Sequence, residues 1–213
     1  IKFENFKNDK SIFTVLDIND FDRNSLIYKF IFQKKILYPI INYLKCVPLL
    51  SYVAVWYSPN QQNIKDSSQF FHLDHEDYKQ IKGFLMLDDV DLDCGPFTLV
   101  NKLDSDYICN KIKYRMTDST KRIDDEFILK NCNEKSINVI TGNKGDLSLV
   151  DTSSCLHYGS RKASKPRYLL VFQFITPYAY ILPWFWRFSK KTNNLKFEGK
   201  KYNLFNQIMG KKV

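Results

Sequence analysis

The sequence holds no C-x-x-C pair, no glycine-serine or proline-rich linker, no internal repeat and no long unbroken apolar run. Each absence removes a class of protein. Five cysteines, at positions 46, 94, 109, 132 and 155, are an odd number without zinc-ribbon spacing, which argues against a structural zinc site and against a disulfide framework. Free thiols suit a reducing interior, so the expected location is cytoplasmic. Seven glycines are few for 213 residues, and with no linker the chain reads as one compact domain able to bury a substantial core. The early apolar stretches are interrupted by Asn, Lys and Asp, too short and too charged for a signal peptide or a spanning helix. The first residue is Ile1 rather than methionine, which suggests a trimmed or processed start. Acidic residues are outnumbered, leaving a formal charge of +9. That charge raises nucleic acid as a partner, yet the basic residues are spread along the chain among aspartates and no nucleic-acid module is recognisable. A diffuse positive field would equally steer an anionic small molecule.

Histidine is also scarce, with three residues at 72, 75 and 157. Two of them fall in a pattern with chemical meaning. His72-Leu73-Asp74 is an H-x-D triplet, and residues i and i+2 of an extended segment project to the same side, so both side chains can converge on one ion. A non-haem ferrous iron that must also bind a cosubstrate and oxygen accepts only three protein ligands, typically two neutral imidazoles and a carboxylate on one face. His157 can supply the third, because Gly145 to Asp151 before it reads as a short strand leaving a turn. Ten residues further on, Arg167 opens a strongly apolar segment and could grip a carboxylate through two parallel hydrogen bonds.

The chain resembles the phytanoyl-CoA dioxygenase family of iron and 2-oxoglutarate-dependent oxygenases. The resemblance spans residues 67 to 176, about half the chain, and rests on Ser68-Gln69-Phe70-Phe71-His72-Leu73-Asp74, on Leu87-Asp88-Asp89-Val90-Asp91 through Cys94-Gly95-Pro96-Phe97, and on Gly145-Asp146-Leu147, His157-Tyr158-Gly159-Ser160 and Arg167. It implies a double-stranded β-helix, with His72, Asp74 and His157 as ligands of Fe(II) and Arg167 on the distal carboxylate of 2-oxoglutarate. It also implies oxidation by molecular oxygen, with 2-oxoglutarate decarboxylated to succinate. Asp74 favours hydroxylation, since a halogenase of this superfamily would be expected to carry a small residue there. The family often continues past its Gly-Pro turn with a proline-glycine-serine-histidine run, whereas this chain reads Leu99-Val100-Asn101-Lys102-Leu103-Asp104-Ser105. The substrate, whether small molecule or lipid-like, is therefore not specified by motif. A second triplet, His75-Glu76-Asp77, overlaps the first; the resemblance aligns His72 with the metal and leaves His75 and Asp77 in the following turn.

Other polar positions carry two readings each. Lys82 interrupts an apolar strand on the same face as Phe84 and Met86. Facing inward it needs an anion, which 2-oxoglutarate would supply; facing outward it is simply solvated. The resemblance implies that Gln69 lies near the cosubstrate or substrate, though it reads equally as a surface glutamine; Ser160, three residues after His157, could reach a carboxylate oxygen of the cosubstrate with its hydroxyl. Asp146 is expected to fix a turn. Asp151 and Thr152 either support His157 or close its strand. The contrasting functions are a catalytically inactive cupin-like barrel that only binds a ligand, and a basic nucleic-acid-binding protein. The intact triad argues against the first.

Patterning gives a mainly β chain with flanking helices, fitting a jelly roll better than a parallel α/β fold. An N-terminal helical buttress is expected over about 1–48, with apolar positions at helical spacing from Arg23 to Cys46 and a break at Pro39. The jelly-roll core follows over about 50–177, with strands at Leu50 to Tyr57, Ile81 to Leu87, Ile137 to Ile140, Asp146 to Val150 and Arg167 to Thr176, and a surface helix from Ser119 to Lys130. The last segment, 178–213, opens with the aromatic run Tyr178 to Arg187 and turns lysine-rich. It reads as a cover for one end of the barrel or a dimer contact, with weak membrane-surface contact as the alternative.

Overall fold

The computed structural model describes residues 12–18, 20–21, 24–59, 67–114 and 118–182. Eight strands and four helices are described: β1 (Phe13–Asp17), α1 (Leu26–Ile31), α2 (Lys34–Leu44), β2 (Leu49–Ser58), β3 (Gln80–Met86), β4 (Phe97–Val100), α3 (Lys102–Lys111), α4 (Asp125–Asn131), β5 (Ile137–Ile140), β6 (Leu147–Val150), β7 (His157–Tyr158) and β8 (Arg167–Ile175). They form two antiparallel sheets, one of five strands in the order β1-β2-β8-β3-β6 and one of three in the order β5-β4-β7. This is the mainly β, jelly-roll architecture that the alternating strands foretell.

The long strand β8 shows how sequence becomes two layers. Its even residues, Leu170, Phe172 and Phe174, pack with Leu50, Val53 and Ile81 against Tyr28, Ile31, Ile36, Leu37 and Ile40 of α1 and α2. Its odd residues, Leu169 and Val171, join Phe84, Met86 and Val150 on the opposite face, where Phe97 of the smaller sheet meets them. The Phe84 and Phe97 rings lie 4.6 Å apart between centroids. Gly83 sits on the helix-facing side of β3 under the Phe172 ring, where a β-carbon would come within 2.2 Å of that ring. A third apolar cluster, including Val100, Ile108, Ile128 and Leu156, seats α3 and α4 beside β4 and β7.

Three expectations change. The helical buttress is divided, but at Phe32 and Gln33 rather than at Pro39, which lies inside a continuous α2. Gln33 is extended and starts the new helix, and Pro39 lies inside it, where it lacks the amide that would donate to the carbonyl of residue 35. The helix expected from Ser119 shrinks to Asp125–Asn131, because Ile123 pairs its backbone with Phe71 and Asp124 caps the helix by accepting from the amide of Phe127. Helix α3 was not anticipated: it buries only Ser105 and Ile108, too narrow an apolar stripe to read by periodicity, though Asn101 accepting from the amide of Asp104 is a capping signal. Of the C-terminal segment, residues 183–213 lie outside the described residues. No described helix is long and apolar enough to cross a membrane.

Candidate metal centre

His72, Asp74 and His157 are brought together from distant parts of the chain, their ligand atoms all lying within 4.8 Å of one another. The backbone does this directly. The amide of His72 donates to the carbonyl of His157 and the amide of His157 to the carbonyl of His72, both at 3.0 Å, so the two histidines form an antiparallel bridge with ring centroids 4.4 Å apart. Asp74 is anchored by its own amide, which donates to the carbonyl of Thr152 at 2.9 Å. Thr152 thus positions the Asp74 carboxylate through its backbone, while Asp151 accepts from Ser153, Ser154 and Tyr43.

Each imidazole is fixed in one tautomer. Nδ1 of His72 lies 2.8 Å from the carbonyl of Phe70 and Nδ1 of His157 lies 2.8 Å from the carbonyl of Cys155. A carbonyl only accepts, so Nδ1 carries the proton and Nε2 presents its lone pair. Burial lowers both histidines below their ordinary range, against the pull of Asp74, and takes His157 to about 3. Both rings are therefore neutral at pH 7, the state that binds a metal. Their Nε2 atoms stand 3.9 and 3.8 Å from Asp74 Oδ1, too far for hydrogen bonds. Three donors that face a common point without bonding one another suit a cation placed between them.

The other oxygen of Asp74 accepts from Lys82 Nζ at 2.6 Å. Lys82 therefore faces inward, and the anion beside it is a side chain of this protein. Burial opposes the charge on both groups, but each outweighs it for the other: Asp74 is held well below the usual carboxylate range, with help from the two imidazoles, and Lys82 is raised.

Arg167 opens β8 on the same face as Lys82, Phe84 and Met86 and is 3% exposed. It forms no ion pair among the described residues, its Nε has no hydrogen-bond partner there, and burial lowers its pKa well below the usual guanidinium range, to about 10. A buried guanidinium left so is poised for an anion from outside. Gly159 borders it, with a β-carbon at that position 3.8 Å from the guanidinium. The loop carrying Gly159 is pinned by Gln69, whose amide donates to the carbonyl of Ser160 at 2.7 Å; both residues are buried.

The overlapping triplet stays out of the cluster. His75 stacks on Tyr114 at 5.9 Å, and Asp77 accepts from the amides of Tyr78 and Thr176. Asp146 does close its turn, accepting from the amide of Asn143 at 2.7 Å.

Sequence reasoning missed a cavity of about 270 Å³ beside Lys82, lined by Tyr52, Trp56, Glu76, Gln173 and Ile181. Tyr52, Gln173 and Lys82 stand side by side across β2, β8 and β3. One signal was available: Gln173 is a polar residue in an apolar strand at even spacing from Arg167. Arg161 was missed as well. It is buried, lies over the Tyr158 ring at 3.3 Å and donates to Asp125 and to the carbonyl of Gln69, tying α4 to the segment that leads into His72.

No protein-family model matches the chain and no curated protein matches it. Among solved structures it is similar to EctD from S. alaskensis with 2-oxoglutarate and 5-hydroxyectoine (12% identity, 70% of this chain and 52% of that one, TM-score 0.49). It is also similar to AviO1 from Streptomyces viridochromogenes Tue57 (11% identity, 75% and 65%, TM-score 0.48) and to the non-heme monooxygenase ThoJ (14% identity, 69% and 54%, TM-score 0.44). The chain spans between about a third and two thirds of the length of the structures it matches. The chain's own residues supply three converging donors, a lysine on the carboxylate, and a buried arginine with no ion pair among the described residues.

Proposed function

We propose that this chain is a non-haem Fe(II)/2-oxoglutarate-dependent oxygenase that hydroxylates an unactivated carbon of a small-molecule or lipid-like substrate. The observation that carries the reading is a three-donor cluster, bonded through Asp74 to Lys82, together with a buried guanidinium on the sheet face of Lys82 that has no ion pair among the described residues. His72 and His157 offer neutral Nε2 atoms and Asp74 offers Oδ1, a donor set that suits ferrous iron and leaves further positions open. Arg167 takes the distal carboxylate of 2-oxoglutarate. Gln69 and Ser160 contribute by holding the loop after His157 beside Arg167. Iron with 2-oxoglutarate bound supplies an oxidant made from dioxygen, the cosubstrate leaving as succinate and carbon dioxide. Phe84, Phe97, Leu169 and Val171 keep the inner face dry. The cavity beside Lys82 takes the substrate, with Tyr52 and Trp56 among the residues lining it. The basic chain favours an anionic substrate, and the free thiols fit the cytoplasm.

The test is an anaerobic titration of the metal-free protein with ferrous iron and 2-oxoglutarate. The expected result is a weak visible charge-transfer band that appears only when both are present and fades in Arg167→Ala. Iron that fails to bind, with no band, would remove the oxygenase reading and return the chain to a ligand-binding barrel.

A further inference from the structure

The contact between Lys82 and Asp74 has more to say about the centre than that a buried lysine found a counter-ion. Lys82 lies in the middle of β3, paired on one side with Gln173 of β8 and on the other with Val150 of β6, so the root of its side chain is held by two neighbouring strands. Its ammonium bonds Asp74 Oδ2 at 2.6 Å. The backbone of Asp74 is separately tethered to Thr152. The carboxylate is thus gripped at its root and at one oxygen, and Oδ1 alone is turned to the two Nε2 atoms. A carboxylate with both oxygens free can bind a cation through both, which would fill a position that an incoming cosubstrate needs. The other carboxylate at this cavity, Glu76, accepts from the Gln80 amide at 3.3 Å.

We propose that Lys82 is a positioning residue of the metal centre: by occupying Oδ2 it keeps Asp74 a one-oxygen ligand and preserves room on the metal for a chelating cosubstrate. This rests on the function proposed above and adds to it a residue that never touches the metal. The same contact keeps the buried carboxylate paired before any metal arrives.

Nickel(II), which does not react with oxygen, and 2-oxoglutarate serve as probes, with binding followed by calorimetry in wild type, Lys82→Met and Lys82→Gln. Methionine fills the space without a donor, whereas glutamine keeps a donor and loses the charge. The methionine variant is expected to bind nickel at least as tightly as wild type, since a nearby positive charge is gone, while its nickel-loaded form binds 2-oxoglutarate about tenfold or more weakly. The glutamine variant is expected to keep wild-type affinity for 2-oxoglutarate. Unchanged 2-oxoglutarate binding in Lys82→Met would overturn the proposal. So would equal losses in both variants, which would make Lys82 a charge contact of the cosubstrate instead. A crystal structure of nickel-loaded wild type reads the same point without substitution: Oδ2 must remain on Lys82, and both oxygens on the metal would refute it. Wild type that binds nickel but not 2-oxoglutarate would instead sink the oxygenase reading, a separate failure.

Discussion

Replacing Arg167 by methionine should make the ligand-free protein more stable and at the same time useless for cosubstrate binding. The guanidinium is 3% exposed, has no ion pair among the described residues and leaves Nε without a partner. Burial takes its pKa well below the usual guanidinium range, to about 10. At about 1.4 kcal/mol for each tenfold change in proton affinity, holding that charge in place costs on the order of 3 kcal/mol. Methionine fills similar space with no charge to desolvate, so after some loss of packing a gain of about 2 kcal/mol is expected, or roughly 4–8 °C in Tm for a chain of this size. Thermal melts by circular dichroism measure it. In a second arm, nickel(II) with 2-oxoglutarate at about a hundred times its Kd should add about 2.7 kcal/mol to wild type and nothing beyond the metal effect to the variant. The ranking of the two proteins then inverts on adding cosubstrate. If Arg167→Met melts below wild type without ligand, the guanidinium is satisfied inside the fold and is not an empty anion site.

Other outcomes follow from the same geometry. Asp74→Ala and His157→Ala should each remove high-affinity metal binding, read by calorimetry with nickel(II), because two remaining donors do not hold a cation in an open centre; undiminished binding in either would refute the ligand set. Gly83→Ala should cost about 1–3 kcal/mol or more by urea denaturation, since the new β-carbon meets the buried Phe172 ring, and Phe172→Leu should recover part of the loss. The metal-free protein should lose stability as pH falls from 6.5 to 3. His157 is proton-free in the fold down to about 3 but takes a proton near 6.5 once unfolded, so the unfolded state binds more protons in that window. His157→Gln should flatten the slope in urea melts taken across that range, and a slope as steep as wild type would place the acid lability elsewhere.

Much of the site was legible because it depends on residue types and short-range geometry. With three histidines in the chain, an H-x-D triplet, a distal histidine and an arginine on an apolar strand left few other ways to build a metal centre. Strand alternation put Lys82 with Phe84 and Met86, and the register agrees. His72, not His75, stands in the cluster with Asp74 and His157, and His75 stacks on Tyr114. What alternation does not say is which face of the sheet is inside, and both readings of Lys82 therefore stood until the strands were paired. Helix α3 escaped for a related reason, as its contact with the core is two residues wide. Helix α4 was overextended because charges and apolar residues at helical spacing do not reveal that Ile123 is bound to Phe71.

By itself, the sequence determined the class of fold and the donor types available to a candidate site, because periodicity and side-chain chemistry are local properties of the chain. Only the tertiary structure decided that Lys82 bonds one oxygen of Asp74, that Arg167 is buried with no ion pair among the described residues, and that Tyr52, Gln173 and Lys82 line up across three strands beside a cavity. Those facts arise from pairings between segments as far as 121 residues apart, Tyr52 with Gln173, and no local pattern encodes the partner at the other end of such a contact.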